Sequence, residues 1–215
     1  RASAERFAAE GARLVLAARG AEALSSFASS LRAAGAEVYD IAVDLESEGG
    51  AASLVEFAVA RAGGVDVLVN VSGGSSGGTF ADNAIEDWER GFSRNFWPAV
   101  RASKAALPYL EKSGGTIVHL SSIWGREAGG LASYNAAKAA LISLTKSMGR
   151  ELMPRGVRVV GVAPGSVLHP GGSWERRSKA DPEGIAAFVK AEIPANRFGR
   201  ADEVADVVCF LARPR

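Results

Sequence analysis

A doubly wound α/β domain, in which a parallel sheet lies between two layers of helices, is the fold class this sequence predicts. Two observations carry the prediction. Short apolar runs alternate with helix-length amphipathic stretches, which requires crossover connections and therefore parallel strands. With 47% hydrophobic residues among 215, the chain can bury one sizeable core, and residues 1–215 are read as a single domain.

The chain opens in a helical pattern around Phe7, Ala8 and Gly11. Arg13 to Ala18 is a strand, and Ala21 to Ala34 a helix closed by Gly35, since glycine takes the left-handed conformation that helix ends use. Ala36 to Val43 is the next strand, and Ser47 to Ala62 the next helix, stopped by Gly63 and Gly64. Val65 to Val71 is a strand, followed by a Gly-rich loop from Gly73 to Phe80. That loop lacks both the G-x-G-x-x-G spacing and a P-loop Lys-Ser/Thr, so it does not read as a phosphate cradle. Ile85 to Glu111 is a long helical region in which Pro98 predicts a kink. Thr116 to Leu120 is an apolar strand, and Leu131 to Leu152, rich in Ala, Leu and Lys and free of Pro, is a long helix. Val157 to Ala163 is the last clear strand, Pro164-Gly165 opens a loop, and Asp202 to Ala212 is the final helix.

Residues 169–195 interrupt the alternation with His169-Pro170-Gly171-Gly172-Ser173-Trp174, the basic run Arg176-Arg177-Ser178-Lys179, and a helix-like piece from Pro182 to Ala191. Inserted after a strand end, such a segment reads as a substrate-binding lid; the plain alternative is a solvated loop.

Composition narrows the function classes. A formal net charge of +1 gives no electrostatic reason to expect nucleic acid or an anionic membrane as partner. The single cysteine, Cys209, excludes an intrachain disulfide and reads as a buried helix thiol. No apolar run approaches membrane-spanning length and no signal peptide is visible, so the cytoplasm is the expected location. His119, on an apolar strand, reads as a satisfied core histidine, His169 as a surface residue, and no cluster has metal-ligand spacing.

The chemistry-bearing stretch runs from Ser122 to Lys138. Tyr134 and Lys138 are i and i+4 neighbours on one helix face, and Ser122 stands at the end of the preceding strand. A free tyrosine, with pKa about 10, is a poor acid or base at neutral pH, and lowering it to about 7 takes roughly 4 kcal/mol of preference for the phenolate. A cation at about 4 Å supplies roughly that much at an effective dielectric of 20. The tuned phenol could exchange a proton with a carbonyl or alcohol oxygen while Ser122 donates a hydrogen bond to the same oxygen. Taken alone, Tyr-x-x-x-Lys is also ordinary on helix surfaces.

The wider constellation weighs against that plain reading. With Asn70-Val71-Ser72-Gly73 after one strand, Asn95 in the next helix, the Ser122/Tyr134/Lys138 set, Pro164-Gly165 after the following strand and Arg197-Phe198-Gly199-Arg200 before the last helix, the chain resembles the short-chain dehydrogenase/reductase family over essentially its whole length. The resemblance implies a Rossmann-type, three-layer fold and hydride transfer between a nicotinamide cofactor and a small-molecule carbonyl or alcohol. It implies Tyr134 as acid/base, Ser122 as the donor polarising the oxygen, and Lys138 as the cation tuning the phenol and holding a ribose. Asn95 would anchor a proton-relay water. Asp44 and Leu45 would contact the adenine, Asn70 and Gly73 would flank the adenosine and nicotinamide riboses, Val167 would offer backbone groups to the carboxamide, and Ser72, Pro164 and Gly165 would also line the cofactor.

Cofactor choice follows from charge. An acidic side chain at the end of the second strand binds a ribose 2′-hydroxyl, whereas arginine accommodates a 2′-phosphate. Here Ala18 stands where NAD-dependent members usually carry Asp, and Arg19, read as an unpaired guanidinium, follows at once. NADP(H) is therefore expected ahead of NAD(H). The resemblance also implies a first strand with its Gly-rich turn before Arg1 and a last strand after Arg215, so the chain is expected to be incomplete at both ends, with a gap in mid-sheet and poor cofactor binding as cut. Homodimers or homotetramers are expected of the full-length protein, through helices 85–111 and 131–152. The rival expectation is a binding or scaffolding protein with this fold and no catalysis.

Overall fold

The computed structural model describes residues 1–74 and 77–213. It contains α1 (Ala2–Ala9), β1 (Leu14–Ala18), α2 (Ala21–Ala33), β2 (Val38–Ala42), α3 (Gly50–Ala62) and β3 (Val67–Asn70). Then come α4 (Ile85–Asn95), α5 (Trp97–Ser113), β4 (Thr116–Leu120), α6 (Ala132–Leu152) and β5 (Arg158–Val162). The chain finishes with β6 (Val167–Leu168), α7 (Ser173–Ala180), α8 (Pro182–Glu192), β7 (Gly199–Arg200) and α9 (Ala201–Ala212). This is the expected α/β alternation.

The strands are parallel but fall into separate pieces. β1 pairs with β2, β3 with β4, β4 with β5, and the two-residue β6 with β7. β1 and β3 are not paired with each other, so the main sheet is broken where the family's strand order had predicted a gap. β4 is the most deeply buried strand: Thr116 to His119 are all closed off from solvent. β1 and β3 are mostly half-buried, as fits strands with one open edge.

Helices hold the two pieces together. Phe7 of α1 packs against the cluster of Leu14, Ala28, Leu31 and Val38 around β1 and also against Val118 and Val208 beside β4. Arg6–Asp206 (2.8 Å) and Arg213–Glu10 (2.9 Å) join α1 to α9 and the residue that follows it. On the other face α3 closes over Ile117, Leu110 and Ala106 through Val55.

The long helical region breaks at Phe96, whose backbone leaves helical geometry (φ −121°, ψ −57°), and α5 starts at once. Pro98 then occupies the first turn of α5, where its missing N–H costs nothing. The predicted kink at Pro98 is thus a helix break two residues earlier. Residues 169–195 fold as α7 and α8, so the basic run belongs to a helix rather than a loop. Within the predicted Gly-rich loop, Ser75 and Ser76 lie outside the described residues.

Candidate active site at the carboxyl ends of the strands

β3, β4 and β5 run parallel and end on one side, where Ser122, Gly73 and the side chains of Asn95, Tyr134 and Lys138 meet. β4 runs out into Ser121 and Ser122. Ser121 N–H donates to Val162 O (2.8 Å) and Ile123 N–H to Pro164 O (3.0 Å), which ties this exit to the end of β5. Ser121 Oγ donates to the Lys138 carbonyl (2.9 Å), anchoring the loop to α6. Gly125 completes the anchor. A Cβ there would fall 2.8 Å from the Lys138 carbonyl carbon, so only glycine lets the loop lie against the helix.

This scaffold brings the three central side chains together. Ser122 and Tyr134 share a hydrogen bond, and Ser122 Oγ also accepts from Trp124 N–H (3.2 Å). Lys138 is only 4% exposed. Its ammonium donates to Leu120 O at the end of β4 (2.9 Å) and stands 5.8 Å from the centre of the Tyr134 ring. Asn95 reaches the same place from α4: its amide brackets Gly74, accepting from Gly74 N–H (3.0 Å) and donating to Gly74 O (3.0 Å) and Gly91 O (2.9 Å).

Gly73 marks where these groups converge. A Cβ on it would fall 2.6 Å from Asn95 Oδ1 and 3.1 Å from Lys138 Nζ. A side chain is therefore excluded, and only glycine lets the Asn95 amide and the Lys138 ammonium close on this backbone. That cradle, beside a lysine and a serine–tyrosine pair at strand ends, fits a nicotinamide and its ribose. Asp44 and Leu45 follow β2, Asn70 ends β3 with Ser72 just beyond it, Pro164 and Gly165 follow β5, and Val167 opens β6.

The electrostatics differ from the sequence expectation. Burial raises the Tyr134 pKa above its ordinary value, with the Ser122 hydrogen bond pulling the other way. Burial also lowers Lys138, to about 8. The lysine has thus not turned the phenol into a phenolate: its ammonium is committed to Leu120 O, and the desolvated ring favours its neutral form. The buried phenol is held in its neutral, protonated form.

Arg19 also departs from expectation. It is not unpaired: its Nη1 lies 3.2 Å from Glu46 Oε1, and Arg94 Nε lies 3.5 Å from the same oxygen. Sequence reading missed Glu46 and Arg94, which act through contacts between distant stretches, and set Ser121 aside in favour of its neighbour Ser122.

Behind the site, His119 is fully buried between helices, as a satisfied core histidine. Thr145 donates its hydroxyl to Leu141 O (2.6 Å), so it accepts from His119 Nδ1 (2.9 Å). That leaves Nε2 to accept from Ser103 (3.3 Å), which in turn accepts from the Asn70 amide (3.5 Å). Burial, with Lys138 nearby, lowers the His119 pKa to about 4. The unfolded chain therefore binds more protons between about pH 4 and 6.5, and stability should fall as pH drops through that window, by roughly 3 kcal/mol in all. Urea unfolding at pH 7, 5.5 and 4.5 should show this loss, and His119→Asn should flatten it.

Comparison with known proteins agrees with the geometry. The family profile described as enoyl-(acyl carrier protein) reductase matches residues 1–215. A putative ketoacyl reductase of Streptomyces coelicolor is 34% identical over 220 residues, covering 98% of this chain and 84% of that protein. The chain is a short-chain dehydrogenase/reductase. An isoepoxydon dehydrogenase of Penicillium expansum is 36% identical over 176 residues, which span 80% of this chain and 66% of that relative. The crystal structure of L-sorbose reductase from Gluconobacter frateurii, complexed with NADPH and L-sorbose, superposes with a TM-score of 0.93 at 31% identity, covering 100% of this chain and 85% of that one. Members of this short-chain dehydrogenase/reductase family are NAD(P)(H)-dependent oxidoreductases, and no helix among the described residues of this one is long and apolar enough to cross a membrane.

Proposed function

We propose that the protein reduces a small-molecule ketone, or oxidises the corresponding secondary alcohol, with NADP(H) preferred to NAD(H). The observation that carries the reading is the hydrogen-bonded Ser122–Tyr134 pair one helical turn from a buried Lys138. The nicotinamide supplies or accepts hydride when bound. Ser122 holds the substrate oxygen and Tyr134 delivers its proton there. As negative charge grows on Tyr134, the Lys138 ammonium, 5.8 Å from the centre of its ring, favours the phenolate. Asn95 keeps the Gly73–Gly74 backbone shaped for the nicotinamide ribose, and Asn70, Asp44 and Leu45 border the adenosine half.

Arg19 at the end of β1, with Ala18 before it, supports NADP(H) because no carboxylate at Ala18 opposes a 2′-phosphate. The NADPH named in the L-sorbose reductase structure points the same way. The segment of α7 and α8 is read as the lid over the substrate. Trp174 stacks on Phe188 (4.8 Å between ring centres) and touches Trp124 (6.2 Å), two residues beyond Ser122, which gives the lid an apolar underside.

The rival reading is a binding or scaffolding protein of this fold without catalysis. NADPH consumption against a panel of β-ketoacyl thioesters, sugars, steroids and small ketones separates the two. Turnover of any panel member supports the oxidoreductase; cofactor binding with no turnover across the panel supports the rival.

A further inference from the structure

We propose that Glu46 is a specificity-determining residue: it holds Arg19 and Arg94 together as a two-guanidinium site that a phosphoryl group on the ligand takes over from its carboxylate. The inference rests on the NADP(H) reading and extends it to residues that reading does not use.

Three arginines from three elements converge on this one loop residue. Arg19 at the end of β1 and Arg94 in α4 share Glu46 Oε1, at 3.2 and 3.5 Å. Arg101 of α5 donates to the Glu46 backbone carbonyl (2.8 Å), while Glu46 N–H donates to Asp44 Oδ1 (2.9 Å). The peptide is thus pinned at both ends, and only the carboxylate side chain is free to exchange. The Arg94 stem also borders the site already described, since a Cβ on Gly74 would fall 3.4 Å from Arg94 Cδ.

The balance of charge favours exchange. One carboxylate oxygen serves two guanidinium groups, so a positive charge is left over. The Arg19 and Glu46 side chains are 62% and 28% exposed, and ion pairs in such settings are weak because water screens them. A phosphomonoester brings more negative charge and three acceptor oxygens, and guanidinium groups bind it in charge-assisted, often bidentate fashion. Glu46 therefore keeps the two arginines gathered without ligand and yields them to a phosphate, at a small cost in affinity.

The test is ligand titration of wild type, Glu46→Gln and Arg94→Gln by calorimetry, with NADPH, NADH, 2′,5′-ADP, ADP and inorganic phosphate as probes. Removing the competing carboxylate should tighten NADPH and 2′,5′-ADP by about three- to fivefold, while NADH and ADP change less than about twofold. Arg94→Gln should weaken only the probes carrying a 2′-phosphate. Equal shifts for NADPH and NADH in Glu46→Gln, tightening of ADP or inorganic phosphate alone, or no shift at all, would overturn the proposal. A wild-type protein that prefers NADH would instead overturn the NADP(H) reading on which it rests. Unchanged unfolding curves for both variants confirm that the comparison is made on folded protein.

Discussion

Tyr134→Phe is expected to lower carbonyl turnover by about a thousandfold while cofactor affinity changes by less than about twofold. The substitution removes one oxygen and keeps the ring. The ring lies beside Lys138 Nζ, 5.8 Å from its centre to the nitrogen, and that packing survives the loss of the hydroxyl. What disappears is the hydrogen-bond partner of Ser122 and the phenol proton. A loss of affinity as large as the loss of turnover would mean that Tyr134 mainly holds the ligand. Retained turnover would mean that the proton comes from another group. Because burial raises the Tyr134 pKa, carbonyl reduction should also be sustained across neutral pH, where the phenol remains protonated.

Lys138→Met should act in opposite directions on activity and on stability. Burial lowers the lysine from an ordinary 10.5 to about 8, so at pH 7 the ammonium is charged in both states and its confinement costs the fold roughly 3 kcal/mol. Its folded pKa lies below its unfolded one, so the unfolded chain binds more protons between about pH 8 and 10.5, and stability gains there as pH rises. An apolar side chain of similar length removes that cost, and the melting temperature should increase. Turnover should fall by about a hundredfold or more, since the phenolate that forms on Tyr134 loses its nearby cation. A variant that loses activity and melts at a lower temperature would show that the Leu120 hydrogen bond outweighs the desolvation.

How much of this could be read from the sequence depends on the range of each interaction. The Tyr134–Lys138 pair was legible because four residues on a helix fix a shared face whatever surrounds it. The order of strands and helices was legible from periodicity, and the break between β1 and β3 from the family's strand order. The two-residue strands β6 and β7 were not, because a stretch that short carries no alternation. Pro98 drew attention to the wrong residue: proline is at home in a first helical turn, and the break belongs to Phe96. The direction of the Tyr134 shift was invisible because it depends on burial rather than on spacing. Arg19 was misjudged for a related reason. Its partner is 27 residues away and meets it only once β1 and β2 are paired.

The account stands or falls on hydride reaching a carbonyl carbon beside Tyr134. NADPH carrying deuterium at both C4 positions of the nicotinamide, incubated with the protein and a ketone it turns over, tests this by mass spectrometry and chiral chromatography of the alcohol. The account predicts one deuterium on the carbinol carbon, delivered from a single face, and none of this product from Tyr134→Phe. Alcohol without deuterium, or equal labelling from both faces, would contradict it.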